Sequence, residues 1–217
     1  MNKDILSSPK RYILIVAAVF VLFILGITME KTWRMTPEEH LTKAIFLERN
    51  KQADRSLSHY ISATKSSRPQ IQMTSYSHLA EIYYYGKRNV PVNLNKAIYY
   101  YEKAANLGSP KAQYQLALFY DVGDKIPENR AKAVDLMKKA ATILPEAKYA
   151  LAVWIERGYF GEPNLNEALA LYKEAAEAGV QNAIKSLISI YHGGYENFPK
   201  DPEREMYWRD RLENKKK

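Results

Sequence analysis

The chain has 217 residues, with 32 Lys and Arg against 24 Asp and Glu, for a net charge of +8. The excess is spread along the chain, and no block is dense enough for a nucleic-acid-binding arm, so nucleic acid is not expected as a partner. The absence of cysteine excludes disulfides and thiolate metal sites.

Residues 1–11 form a short tail, and residues 12–29 read YILIVAAVFVLFILGITM, eighteen positions without a charge. At 1.5 Å per residue a helix of that length covers about 27 Å, close to the hydrocarbon thickness of a bilayer. Tyr12 and Trp33 bracket the stretch, and Arg11 and Lys31 flank it, as interfacial residues do. No small-x-small cleavage site follows, so the segment is expected to be an uncleaved single-span anchor. Lys10-Arg11 sits directly against the stretch. That placement points to a cytoplasmic N-terminus, an anchor in the inner (cytoplasmic) membrane and a periplasmic remainder.

A helix pair is expected over residues 36–68. Thr36-Pro37-Glu38-Glu39 is a helix start, with Thr as N-cap, Pro at the first helical position and Glu three residues past the cap. Leu41, Ala44, Ile45 and Leu47 make one apolar stripe, and Ala53, Leu57, Tyr60 and Ile61 a second. The pair lacks the Gly and small-residue steps that follow, and reads as a degenerate unit capping a stack.

From Ser75 onward a pattern returns about every 36 residues. The first halves read SYSHLAEIYYYG from Ser75, AQYQLALFYDVG from Ala112, AKYALAVWIERG from Ala147 and AIKSLISIYHGG from Ala183. Each places a small residue, Leu four positions on, an aromatic or Ile at eight, and Gly at eleven. The second halves read KAIYYYEKAANLG, KAVDLMKKAATIL and EALALYKEAAEAG. Asn93, Asn129, Asn164 and Asp201 precede them as N-caps. Repetition at this period means stacked helical pairs that bury their faces only against neighbours. The fourth second helix carries Arg204, Arg209, Asp210 and Arg211, the polar outer face a terminal repeat needs. The repeats are expected over residues 72–212, with a basic tail at 213–217, and the fold class is all-α.

These units resemble the Sel1-like repeat (SLR) family, relatives of the tetratricopeptide repeats. Ala112, Leu116, Tyr120, Gly123, Lys132, Ala133, Lys139, Ala140 and Ala141 match its pattern, as do Leu79, Tyr83, Gly86, Lys96, Ala97, Tyr101, Ala104, Ala105 and Gly108. The third unit matches at Ala147, Leu151, Gly158, Ala168, Tyr172, Ala175, Ala176 and Gly179. The chain departs at Ala80, Ala117, Ala152 and Ile188, where the family often has Gly. The resemblance implies a right-handed α-solenoid that serves as an adaptor for other proteins, often in bacterial envelopes. It implies no activity and no cofactor.

The residues offer little chemistry of their own. His40, His59, His78 and His192 are scattered without a metal-binding spacing, and no nucleophile motif or phosphate-binding loop occurs. An enzyme, such as a hydrolase acting on peptidoglycan or lipid, is therefore not expected. What stands out is tyrosine, with 17 copies. In tetratricopeptide-like stacks the first helices line the concave face. Aligning the units on their shared Leu then places Tyr84, Tyr85, Tyr114, Leu118, Tyr149 and Val153 in an apolar strip there, with Arg157 and Lys185 beyond it. Tyr and Arg anchor interfaces because they bury large areas and keep a polar handle. The competing reading has Tyr114 and Tyr149 packing between helices. The expected function is a membrane-anchored scaffold binding another protein or peptide segment. The alternative is an envelope immunity protein that neutralises a toxic effector.

Overall fold

The computed structural model describes residues 35–87, 89–194 and 198–214. The apolar stretch at 12–29 and the tail beyond residue 214 lie outside them. Among the described residues ten helices follow one another: α1 (Pro37–Arg49), α2 (Ala53–Ala63), α3 (Pro69–Tyr85), α4 (Leu94–Asn106), α5 (Pro110–Val122), α6 (Arg130–Ala141), α7 (Pro145–Glu156), α8 (Leu165–Glu177), α9 (Gln181–Gly193) and α10 (Pro202–Asn214). No helix among the described residues is long and apolar enough to cross a membrane. Each odd helix pairs with the next to form a hairpin, and each hairpin packs on the one that follows, the arrangement of an α-solenoid.

The caps form where local chemistry demands them. The Glu39 amide donates to Thr36 Oγ1 at 3.2 Å, and the Thr36 amide donates to Glu39 Oε2 at 2.6 Å, a reciprocal box at the start of α1. Asn93, Asn129 and Asn164 accept from the amides of Lys96, Lys132 and Glu167 at 3.0, 3.0 and 3.2 Å. Asp201 accepts from Arg204 at 2.9 Å. At the other end of a first helix the chain must reverse within a few residues. Gly158 does this at φ +65, with the Gly161 carbonyl 2.8 Å from where a Cβ would stand, so only glycine fits without strain. One boundary differs from expectation. α3 begins at Pro69, six residues ahead of the repeat start at Ser75, because Pro69 fits the first helical position and Gln72 donates to the Ser66 carbonyl at 2.7 Å.

Packing follows the small-large rhythm of the units. Ala112, Ala117, Ala133, Ala140, Ala147, Ala152, Ala168 and Ala175 are fully buried, which lets backbones approach closely. Tyr101, Met137, Tyr172 and Trp208, one per hairpin on α4, α6, α8 and α10, then fill the space between layers. This core is continuous through the four repeats. A second, smaller cluster of Ala44, Tyr60, Leu79, Ile82 and Val90 joins the N-terminal pair to the first repeat. At the far end the terminal helix turns Arg204, Arg209 and Asp210 to solvent, with two apolar side chains among them. Met206 and Tyr207 are exposed on α10, and Arg211 lies over both Tyr207 and Trp208.

Beneath the smaller cluster is an ionic knot. Glu48, on α1, accepts from the Tyr60 hydroxyl and from Lys87 Nζ, each at 2.5 Å, and His78 Nδ1 lies 2.9 Å away. Burial alone would push its carboxyl up, but these partners outweigh burial and hold it at about 2. His78 also stacks on Tyr60, ring centroids 4.9 Å apart. The knot thus ties three elements together: α1, α2 and the end of α3.

Candidate protein-binding face

The odd helices carry the tyrosines that the sequence singles out, and the structure brings several of them together. Tyr84 and Tyr85, at the end of α3, meet edge to face at 4.8 Å. Tyr84 continues edge-on to Phe119 of α5 at 5.8 Å and to Tyr101 at 6.2 Å. Tyr114 of α5 is half-buried. Burial pushes its phenol up, and Glu146, Tyr149, Tyr84 and Tyr85 are close enough to add to the effect. Tyr149 of α7 in turn meets Tyr172 at 5.8 Å. Four tyrosines from three successive first helices therefore share one face.

The strip is not uniform. Leu118, Val153, Tyr114 and Tyr149 are half-buried and packed against the core, with part of each side chain left open to solvent. Tyr84 leans into the core through Tyr101. Tyr85 stands out, 57% exposed. Val122, at the same repeat position on α5, is 72% exposed and belongs to the face although the sequence reading passed over it. The signal was available: Tyr85, Val122 and Arg157 each directly precede a repeat glycine. Arg157 and Lys185 are exposed as expected.

One repeat position explains part of the tyrosine pattern. In the third repeat Glu156 accepts the buried Tyr172 hydroxyl at 2.5 Å, and burial first, then Glu156, raises that phenol. The equivalent position is Tyr84 in the first repeat, which meets Tyr101 through its ring. In the second it is Asp121, opposite Met137, which offers no hydroxyl. Partial burial pushes the Asp121 carboxyl up, against an opposing pull from Arg130. On the same face Glu81 is bridged by Lys111 at 2.8 Å.

The histidines, scattered in sequence, are partnered in space. His40 and His59 meet at 2.8 Å through their Nδ1 atoms, and His192 lies 3.1 Å from Glu205. Among the described residues no group of three or more His, Cys, Asp or Glu is placed to hold a metal ion.

Stacked helical hairpins that present an aromatic face define a helical-repeat scaffold. The Sel1 repeat profile matches residues 75–109, 110–142 and 145–180, and this part of the chain is built of Sel1 repeats. The fourth hairpin, α9–α10, falls outside those matches but keeps the capping residue and terminal glycine of the others. A Sel1 repeat protein from Oxalobacter formigenes superposes with a TM-score of 0.70 at 24% identity, over 82% of this chain and 73% of that one. A protective antigen of uropathogenic Escherichia coli, displaying an SLR fold, superposes with a TM-score of 0.65 at 22% identity, over 76% of this chain and 34% of that one. The alginate biosynthesis protein AlgK of Pseudomonas syringae pv. tomato is 28% identical over 110 residues, 51% of this chain. The match spans 23% of AlgK, so this chain accounts for less than a quarter of that curated relative. Sel1 repeats are scaffolds for protein interaction.

Proposed function

We propose that this chain is a membrane-anchored adaptor whose first helices hold a segment of another protein, with residues 12–29 in the cytoplasmic membrane and the repeats in the periplasm. The observation that carries the docking site is the shared face of Tyr84, Tyr85, Tyr114 and Tyr149, extended by exposed Val122. A solenoid that buries its repeat-position alanines and yet leaves Tyr85 and Val122 in water has apolar surface its own fold does not use. Arg157 and Lys185 give that surface a basic end, suited to a segment that combines apolar side chains with a carboxylate.

Crosslinked capture from membranes tests this reading, with wild type compared against Tyr85→Ala combined with Val122→Ser. Both residues are exposed, so helicity and melting should stay within about 0.5 kcal/mol of wild type while one crosslinked partner is lost. Partners unchanged in the variant would refute the face. If the captured protein is an enzyme that the chain inhibits, the immunity role replaces the adaptor role at the same site.

A further inference from the structure

The N-terminal helix pair has an outward surface that the solenoid leaves unused. Phe46 of α1 is 58% exposed, and Met35, just ahead of the helix, is exposed as well. The two flank a shallow groove lined also by Glu38, Glu39, Thr42 and Lys43, and the Lys43 ammonium sits 5.5 Å from the centre of the Phe46 ring. Beside them lie the His40–His59 pair and Arg55. Burial, and after it the positive charges of His40, Lys43 and Arg55, hold the His59 ring below its usual value. That is the response of a ring set among cations.

Glu38 and Glu39 line the groove as well, but each carboxylate of the pair except Asp54 has a partner of its own. Glu38 accepts from Ser66 Oγ at 3.1 Å and lies 3.8 Å from Arg68. Glu39 closes the capping box with Thr36, and Glu48 is held in the ionic knot. Asp54, in the first turn of α2, is the remaining one. Exposed aromatic and thioether side chains interleaved with Lys and Arg are what an interfacial helix presents to lipid headgroups.

Chain length places this surface near a bilayer. Seven residues, 30–36, separate the apolar stretch from α1, and even fully extended they reach about 25 Å. Met35 and Phe46 are eleven residues apart, about 16 Å of helix, so a helix lying along the membrane brings both to it.

We propose that the outward surface of the α1–α2 pair, with Phe46 and Met35 set among Lys43, Arg55 and the His40–His59 pair, docks on an anionic lipid bilayer. The inference rests on reading residues 12–29 as the anchor. The anchor tethers the chain, and this contact fixes how the solenoid stands on the membrane. Anionic headgroups attract Lys and Arg only within about a Debye length, so the contact needs the tether to bring it close.

The absence of native cysteine makes single labels unambiguous. Full-length chains with Thr42→Cys, Thr142→Cys or Phe20→Cys, each carrying a fluorophore, are placed in nanodiscs containing a lipid-borne nitroxide quencher. Phosphatidylglycerol discs are compared with phosphatidylcholine discs. We expect the Thr42→Cys label to be quenched several-fold more strongly than the Thr142→Cys label in phosphatidylglycerol. That quenching should fall when Lys43→Glu and Arg55→Glu are introduced together, with helicity unchanged by circular dichroism. Quenching of the Phe20→Cys label without quenching of the Thr42→Cys label overturns the docking and leaves the anchor standing. Equal quenching of the Thr42→Cys label in both discs overturns the anionic surface as its partner. No quenching of the Phe20→Cys label removes the anchor and this inference with it.

Discussion

Glu48→Gln isolates the charge at the centre of the ionic knot while keeping the shape of the side chain and an acceptor for the Tyr60 hydroxyl. The Glu48 side chain is 13% exposed, and its carboxyl falls from the ordinary 4.5 to about 2 in the fold. At about 1.4 kcal/mol per decade of acidity this corresponds to roughly 3 kcal/mol of stability. The sign follows from which state binds the proton first. The unfolded chain protonates Glu48 near pH 4.5 and the folded chain near 2. The contribution is therefore complete above the unfolded value and is lost as pH falls towards 2. Because the knot joins α1, α2 and the end of α3, the loss should appear as local opening of the N-terminal pair rather than unfolding of the whole stack. Hydrogen exchange of the full chain reads this directly. At neutral pH, amides of α1 and α2 should exchange about 100-fold faster in Glu48→Gln, while those of α6–α8 stay at wild-type rates. The difference between the two proteins should shrink steadily below pH 4.5. Exchange in α1 and α2 within about threefold of wild type at neutral pH would show that the knot contributes no net stability, as when the desolvation of a buried pair cancels its attraction.

Other parts of the fold make sharper or smaller demands. Gly158→Ala adds a Cβ 2.8 Å from the Gly161 carbonyl at a φ of +65; the left-handed conformation alone costs about 1–2 kcal/mol, so thermal melting should drop by several degrees. Asn129→Ala removes the acceptor for the Lys132 amide and should cost about 1 kcal/mol in denaturant titration, whereas Asn129→Asp should cost little. Tyr114→Ala with Tyr149→Ala should lower stability as well as partner capture, because both rings are half-buried against the core. A double variant that melts like wild type would place those rings wholly in the binding face.

The helices, their caps and their order were legible in the sequence because they depend on residues a few positions apart. Thr36 with Glu39, Asn129 with Lys132, and Ala112 with Leu116 lie within one turn or one helix face, and periodicity exposes them. The repeat itself is a sequence property: each hairpin packs mainly on its neighbours, so the same positions must meet the same packing demand every 36 residues. The N-terminal pair broke that regularity, and its packing on the first repeat through Tyr60, Leu79 and Ile82 has no counterpart in the repeat pattern.

The balance between binding face and core was not legible in the same way. Tyr114 and Tyr149 are half-buried against the core, and their share of burial depends on how far adjacent hairpins rotate, which no local spacing encodes. Tyr84 turns inward because Tyr101 and Phe119 are there to receive it, while its neighbour Tyr85 is left in water. What the sequence by itself determined was the unit and its period. Only the tertiary structure decided that Glu48 meets Lys87 across 39 positions and that His40 meets His59 across 19. Contacts over such separations depend on the stacking of whole hairpins, and a residue pattern repeating within one hairpin carries no record of them.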